Sequence, residues 1–577
     1  MRLLALSATS LLAIALAGAL AACDPIERDK PAAPAVPVAA DPNAVTSTLT
    51  TSPEITGADI GARIKELADD KYEGRGPGTP AGEKAADWIA AEMKRIGLEP
   101  GNPDGTYFQI VKMVQQTVDS ATSSLKIAGP NNKTWDLKLG PDAVYGTKDQ
   151  KNKTVSFADS DLVFVGYGVV APEANWNDYA GIDAKGKTVV MFVNDPGFIT
   201  NDATLFNGKA MTYYGRWTYK FEEAARQGAT AAILIHEEKP ASYGWGVVEG
   251  SWTGVQSDLV RNDGGASRAK LEGWIQLDRA TELFKAAGLD INAMRAAANK
   301  PGFKPVPMTG LKATATINQT IEFKDSRNVI GTVKGSEKPD EHLLLMGHWD
   351  HLGKGTSTDP NEDVINNGAV DNGTGAAAIL EIGEKFAAGP KPKRSVTVLA
   401  VTLEESGLLG SAYFGENPVI PLKNIVGGVN IDALLPTSPA KDAVVIGAGA
   451  SELEDTLKAV LAESNRVIKP DPTPEAGRFY RSDHISLAKK GVPMLYVDSG
   501  EDLVNGGIAA GEAAAKNYTD NLYHKPGDEY SDSWDLSGLE ADVKVDYEVV
   551  NRLANSDAWP NWYEGNEFKA LRDAQRK

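Results

Sequence analysis

Two rhythms of apolar residues run along the 577-residue chain. Early on the spacing is helical: Ile60, Ile64 and Leu67 mark one amphipathic helix, and a second begins at Thr79-Pro80, carries Ile89, Met93 and Ile96, and stops at Gly97. Between about 119 and 310 the rhythm shortens into strand-like runs such as "DLVFVGYGVV" and "KTVVMFVND", with many Gly and Trp, followed by a helix and strand in "YKFEEAARQGATAAILIHE". After about 311, apolar runs ("HLLLMG", "SVTVLAVTL", "NIVGGVNI", "VPMLYV") alternate with helical segments. Buried runs separated by helices predict an α/β fold, a mixed and largely parallel sheet flanked by helices, built from 54–118 and 311–577. The stretch 119–310 reads as a smaller inserted domain, β-rich or mixed. No repeat of fixed period is present.

In an open α/β sheet, ligands bind beyond the carboxyl ends of the strands, so the residues that follow each apolar run carry most of the information. After "LLLM" come His348, Asp350 and His351; after "VTVLAVTL" come Glu404 and Glu405; after "GGVNI" comes Asp432. Asp371 lies in the Gly/Asn-rich turn of "NNGAVDNGTG", and His484 stands just ahead of "GVPMLYV". Singly, such residues are caps, loop residues or surface charge. Five segments bringing acids and imidazoles to one edge are different, because gathered carboxylates repel one another and lose solvation unless a cation joins them. The lone histidine of the inserted block, His236, reads as a satisfied structural residue.

The chain has a single cysteine, Cys23, which excludes an intrachain disulfide and any thiolate metal cluster. A His and carboxylate set suits zinc, manganese or cobalt better than calcium or magnesium. Two histidines, two aspartates and a glutamate exceed the needs of one catalytic zinc. They suit two zincs about 3.5 to 4 Å apart that share a carboxylate and a water.

The series "GHWDHLG", "NNGAVDNGTG", "VTLEESGLLGS", "VNIDA" and "FYRSDHISLAKKGVP" resembles the di-zinc aminopeptidases of metallopeptidase family twenty-eight, leucyl-aminopeptidase-like exopeptidases, over about 54–118 and 311–555. The inserted block resembles a protease-associated domain. The resemblance implies a metallo-aminopeptidase with two Zn²⁺: His348 and Asp432 complete one zinc, Glu405 and His484 the other, Asp371 bridges them, and Glu404 is the general base. Adjacent Glu404 and Glu405 can both face the site only because the strand ends there. Asp350, two residues past His348 on an extended segment, is expected to hold the other ring nitrogen of that histidine; His351 is expected outside the ligand set. Tyr480 is a candidate oxyanion donor. "DNLYHKPGDEYSDSW" resembles a segment of the pocket wall, where His524 either meets substrate or serves a turn before Pro526. A carboxypeptidase or dipeptidase on the same site stays open, since Arg478 and Arg481 lie beside His484. A single-zinc glutaminyl cyclase and a non-catalytic binding protein are further alternatives.

The formal net charge of -19 repels phosphate backbones, so peptides and not nucleic acid are the expected partners; oligomeric state is not legible. The first residues, "MRLLALSATSLLAIALAGALAAC", combine Arg2, a short apolar stretch and a small-residue run that resembles a bacterial lipobox. The expectation is a lipoprotein signal over 1–22, a lipid anchor on Cys23, a Pro/Ala/Thr-rich tether over 23–53, and a place on the periplasmic side of the bacterial cell envelope, in either membrane. A secreted, soluble form is the alternative.

Overall fold

The computed structural model describes residues 45–577; the expected signal over 1–22, Cys23 and the first part of the tether lie outside the described residues. The fold is mixed α/β, with a mostly parallel sheet between helices. Four parallel strands form its centre in the spatial order Arg394–Val401, Lys338–His348, Ile425–Asn430, Met494–Asp498. Beyond Arg394–Val401 runs the antiparallel strand Val306–Val333, and beyond Met494–Asp498 the antiparallel strand Asp442–Val445, itself parallel to Val467–Pro470.

Alternation along the central strands serves two helical layers. Leu343 and Leu345 pack with the helices Gly57–Leu67, Pro80–Arg95, Gly375–Ala388 and Ser537–Ala554, whereas Leu344 and Met346 turn to the other face, among Phe414, Leu487 and Val492. Both helix starts follow the caps in the sequence: Thr56 Oγ1 accepts the Asp59 N–H at 3.0 Å, and Thr79 Oγ1 accepts the Gly82 N–H at 3.0 Å ahead of Pro80. Arg63 is fully buried between helices and is neutralised by Glu92 (3.0 Å), Glu381 and Glu384.

The stretch read as a tether through residue 53 is tied down within its last residues. Ser47 Oγ donates to Glu92 at 2.6 Å, Thr51 Oγ1 donates to Glu384 at 2.7 Å, and Val45 and Leu49 pack on the core. Its hydroxyls add to the arginine donors that already meet these carboxylates.

The inserted block has its own sheet. Strands Thr154–Phe164 (through its last residues), Thr188–Phe192, Ala231–His236 and Leu271–Gln276 pair in parallel, with Ala143–Gly146 antiparallel at one edge. At the other edge the 28-residue strand Val306–Val333 pairs with Thr154–Phe164 and Ser124–Ala128 through its first half, then with Phe108–Val118 and Arg394–Val401 through its second. The two sheets thus exchange partners inside one strand. Among the described residues, no helix is long and apolar enough to cross a membrane.

His342, in the strand Lys338–His348, sits with Nδ1 3.0 Å from Thr397 Oγ1, and burial pushes its pKa down to about 4, against a weaker pull from Asp340. Between pH 6.5 and 4 the unfolded chain then takes up a proton that the folded chain refuses. Stability is therefore complete above 6.5 and falls as the pH drops towards 4, by on the order of 2 kcal/mol from this group. Urea midpoints at pH 7 and pH 4.5 should differ less in His342→Gln than in the parent; equal differences would remove His342 as the cause.

Candidate metal centre

His348 ends its strand fully buried. Its Nδ1–H donates to the Asp350 carbonyl at 3.1 Å, which fixes the ring and leaves Nε2 facing Asp432 Oδ1 at 3.2 Å and Asp371 Oδ1 at 3.3 Å. The orienting group is thus the Asp350 main chain and not its carboxylate, which is 3.9 Å from Nδ1 and instead accepts the Glu404 N–H at 3.1 Å. The reason is local: the extended chain stops at His348 and turns. Burial, reinforced by Glu405, pushes the Asp350 pKa up to about 7, with His348 opposing.

Asp371 faces two histidines with its two oxygens. Oδ1 meets His348, and Oδ2 lies 3.2 Å from His524 Nε2. The same His524 nitrogen lies 3.1 Å from Glu405 Oε2, and Glu405 Oε1 lies 2.6 Å from His351 Nδ1. Donor atoms of His348, Asp371 and Asp432 fall within 4.8 Å of one another, as do those of His351, Asp371 and Glu405, so Asp371 is common to both groups. Burial opposes ionisation of Asp371, yet the close approach of the His348 and His524 imidazoles holds it well below the usual carboxylate range. Glu405 is held at about 2 by His524 and His351 against burial and Asp371. For His348, burial favours the neutral ring, but Asp432 and Glu404 outweigh it and raise the pKa well above its ordinary value.

The loops are braced from behind. Asp528 accepts the N–H groups of Val370 (3.0 Å) and Asp371 (3.1 Å). Asn372 Oδ1 accepts from Gly375 and Ala433 while its Nδ2 donates to Ile431, tying the Asp371 turn to the strand end before Asp432. Arg75, fully buried, donates to the carbonyls of Trp349 (2.7 Å) and Gly368 (2.8 Å), one on each ligand-bearing loop. Gly368 has φ +56° and no room for a side chain, since a Cβ would lie 2.1 Å from the Asp371 carbonyl oxygen and 2.6 Å from the His351 ring. Ser482 Oγ donates to Asp432 Oδ2 at 2.6 Å.

The site therefore gathers His348, Asp371, Glu405 and Asp432, and leaves out His484. That ring is fully buried between Phe479 (4.7 Å) and Tyr496 (5.1 Å), at the start of the short helix His484–Ala488, and burial pushes its pKa down to about 3. Its place is taken by His524, under the Tyr523 ring at 3.9 Å, and His351 comes nearer than expected. Strand-end reasoning passed over His524 because it sits in a loop after a helix; its presence among only six histidines was the available signal. Tyr480 is not free for an oxyanion, as its hydroxyl donates to Glu567 at 3.2 Å. His236 is structural, with Nε2 3.0 Å from the Tyr243 carbonyl.

Glu404 belongs to neither donor group. Burial, then Glu405, Asp432 and Asp483, raise its pKa well above the ordinary carboxylate value, with His348 opposing. Glu405 Oε1, His524 Nε2 and both ring nitrogens of His351 are buried without a well-formed hydrogen bond. Orphaned donor atoms among four carboxylates fit a divalent cation, and the absence of thiolates favours zinc over softer alternatives.

Residues 328–545 match the family model described as Peptidase family M28, a span that contains every residue of this centre but Arg75. The match supports a peptide hydrolase. A "Glutamate carboxypeptidase 2 homolog" of Caenorhabditis elegans is 30% identical over 223 residues, 34% of this chain and 26% of its own length. "Aminopeptidase NAALADL1" of Mus musculus is 29% identical over 143 residues, 23% of this chain and 17% of its own. The chain thus spans about a quarter or less of the length of these curated relatives. Among solved structures, an aminopeptidase from Aneurinibacillus sp. strain AM-1 is 17% identical with a TM-score of 0.46, covering 88% of this chain and 96% of that one.

Proposed function

We propose that this chain is a zinc-dependent exopeptidase of Peptidase family M28 that removes N-terminal residues from peptides. The observation that carries the reading is Asp371, whose two oxygens face two histidines, each of which also meets a further carboxylate. His348 and Asp432 would hold one Zn²⁺, Glu405 and His524 the second, with Asp371 between them. Bound there, the pair supplies Lewis acidity towards the scissile carbonyl and towards water.

The chain's own residues do the rest. Glu404, outside the donor groups and poised by burial to hold a proton, takes one from the attacking water and passes it to the departing amine. Ser482 and the Asp350 carbonyl keep Asp432 and His348 in place. Surplus carboxylate charge at the site favours a free α-ammonium group on the substrate. The lipobox-like start supports an exported protein held by lipid on Cys23 at the periplasmic side of the envelope, and the inserted block supports a protease-associated wall beside the cleft.

Leucine p-nitroanilide should be hydrolysed and an N-acylated peptide with a free carboxylate should not. The reverse preference would make the protein a carboxypeptidase.

A further inference from the structure

One buried arginine reaches both halves of the metal centre from a part of the chain that the family match does not include. Arg75 closes the short helical segment Asp70–Arg75, well ahead of residues 328–545. Its guanidinium meets main-chain carbonyls: Nε donates to Trp349 at 2.7 Å, Nη2 to Gly368 at 2.8 Å, and Nη1 to Leu67 at 2.9 Å and to Asn367. Its own carbonyl accepts the His351 N–H at 3.3 Å. Trp349 and His351 come directly after the strand end at His348, and Asn367 and Gly368 lead into the Asp371 turn.

The backbone is strained to make this reach. Glu73, Gly74 and Arg75 have φ of +45°, +69° and +51°, a left-handed run that is unfavourable for the two residues with a Cβ. Gly74 packs so closely that a Cβ would lie 2.4 Å from the Asn366 carbonyl oxygen and 2.6 Å from that of Gly353. Asn367 Nδ2 donates back to the Ala68 carbonyl at 2.7 Å and to Asp70 at 2.8 Å. Such strain persists only where surrounding contacts over-determine it, and here those contacts come from the two ligand-bearing loops.

Asp371 is common to both donor groups, so its place must suit His348 on one side and Glu405 and His524 on the other. A single cation tolerates a displaced Asp371; a pair that shares it does not. Asn372 ties the turn to the strand end before Asp432, and Arg75 ties it to the loop after His348. A planar fork of N–H donors spans several carbonyls at once, which an ammonium group cannot do.

We propose that Arg75 is a positioning residue that couples the two metal positions: by holding the His348–His351 loop and the Asp371 turn at one spacing, it lets Asp371 serve both ions and so sets the affinity for the second. The inference rests on the two-metal reading of the site and is independent of peptide cleavage.

Zinc titration of the metal-free chain against a competing chelator reads it without turnover. In Arg75→Met the first ion should bind within about threefold of the parental affinity, and the second about tenfold or more weakly. Arg75→Lys keeps the charge without the fork and should behave like Arg75→Met; full recovery with lysine would assign the effect to charge and overturn the proposal. Arg75→Gly suits the backbone at φ +51° and leaves room for a free guanidinium ion, which should restore the second ion where ammonium does not. That arm decides if Arg75→Met folds poorly. Arg394→Met is the structural control: Arg394 is equally buried and holds the carbonyls of Leu553 and Ala558 at the start of its strand, away from the centre. It should lower the Tm and leave both zinc affinities in place. With Co²⁺, the visible spectrum of Arg75→Met should stop changing after one equivalent, whereas that of the parent changes up to two. Weakening of both ions to the same degree would mark a brace without coupling and overturn the proposal. A parent that takes up two ions but cleaves no peptide ends the peptidase reading and leaves the coupling standing. An Arg75→Met protein that binds both ions with parental affinity ends the coupling and leaves the peptidase reading.

Discussion

Glu404→Gln lowers kcat by a factor of about 10² to 10⁴ and leaves the metal content unchanged. The expectation follows from the separation of two neighbouring glutamates. Glu405 is drawn into contacts with His524 and His351 and is held ionised at about 2, as a metal ligand must be. Glu404 takes part in neither donor group, and burial keeps its affinity for a proton high. Glutamine fills the same space, keeps the main-chain link to Asp350, and removes only the ability to accept and return a proton. KM should move little. A variant that retains a tenth or more of parental turnover would place the base elsewhere.

With the proposed pair of zinc ions, His524→Ala should lose one metal and most of its activity, whereas His484→Gln should keep both. His524 presents Nε2 to Asp371 and Glu405 at 3.2 and 3.1 Å from a side chain that is 35% exposed. Removing it leaves two carboxylates facing each other with one imidazole fewer, and the affinity of the second site should fall by at least tenfold. His484, a neutral ring among aromatics, contributes packing alone. Metal per chain, measured after gel filtration, decides: a His524→Ala protein that holds two ions, or a His484→Gln protein that holds one, would restore the ligand set read from sequence.

The contrast between these histidines shows where sequence reasoning stops. Side chains gathered at strand ends were legible, because an apolar run that stops at a polar residue announces the edge of the sheet: His348, Glu405 and Asp432 follow that rule. Asp371 was legible through its Gly/Asn-rich turn, where Gly368 needs a positive φ. His524 follows no such rule. It reaches the site from a loop between helices, with a φ of +58° that no pattern of hydrophobicity records. His484 sits before an apolar strand just as a ligand would, and only the placement of Phe479 and Tyr496 reveals that its ring turns inward. Asp350 was expected to act through its side chain because alternation along a strand was carried past the point where the strand ends. The helix start at Thr79-Pro80 was readable because capping is local chemistry. The shared strand Val306–Val333 was not, because pairing partners are set by the whole fold.

That strand has a mechanical meaning. A girder of continuous backbone enters one sheet at Val306 and leaves the other at Val333, paired on both flanks around 312–316 in the first sheet and near its end in the second. Swinging the insert about it would shear ladders on both sides together, which is far costlier than bending a loop. The insert and the catalytic sheet are therefore joined by a shared strand and not by a loop alone.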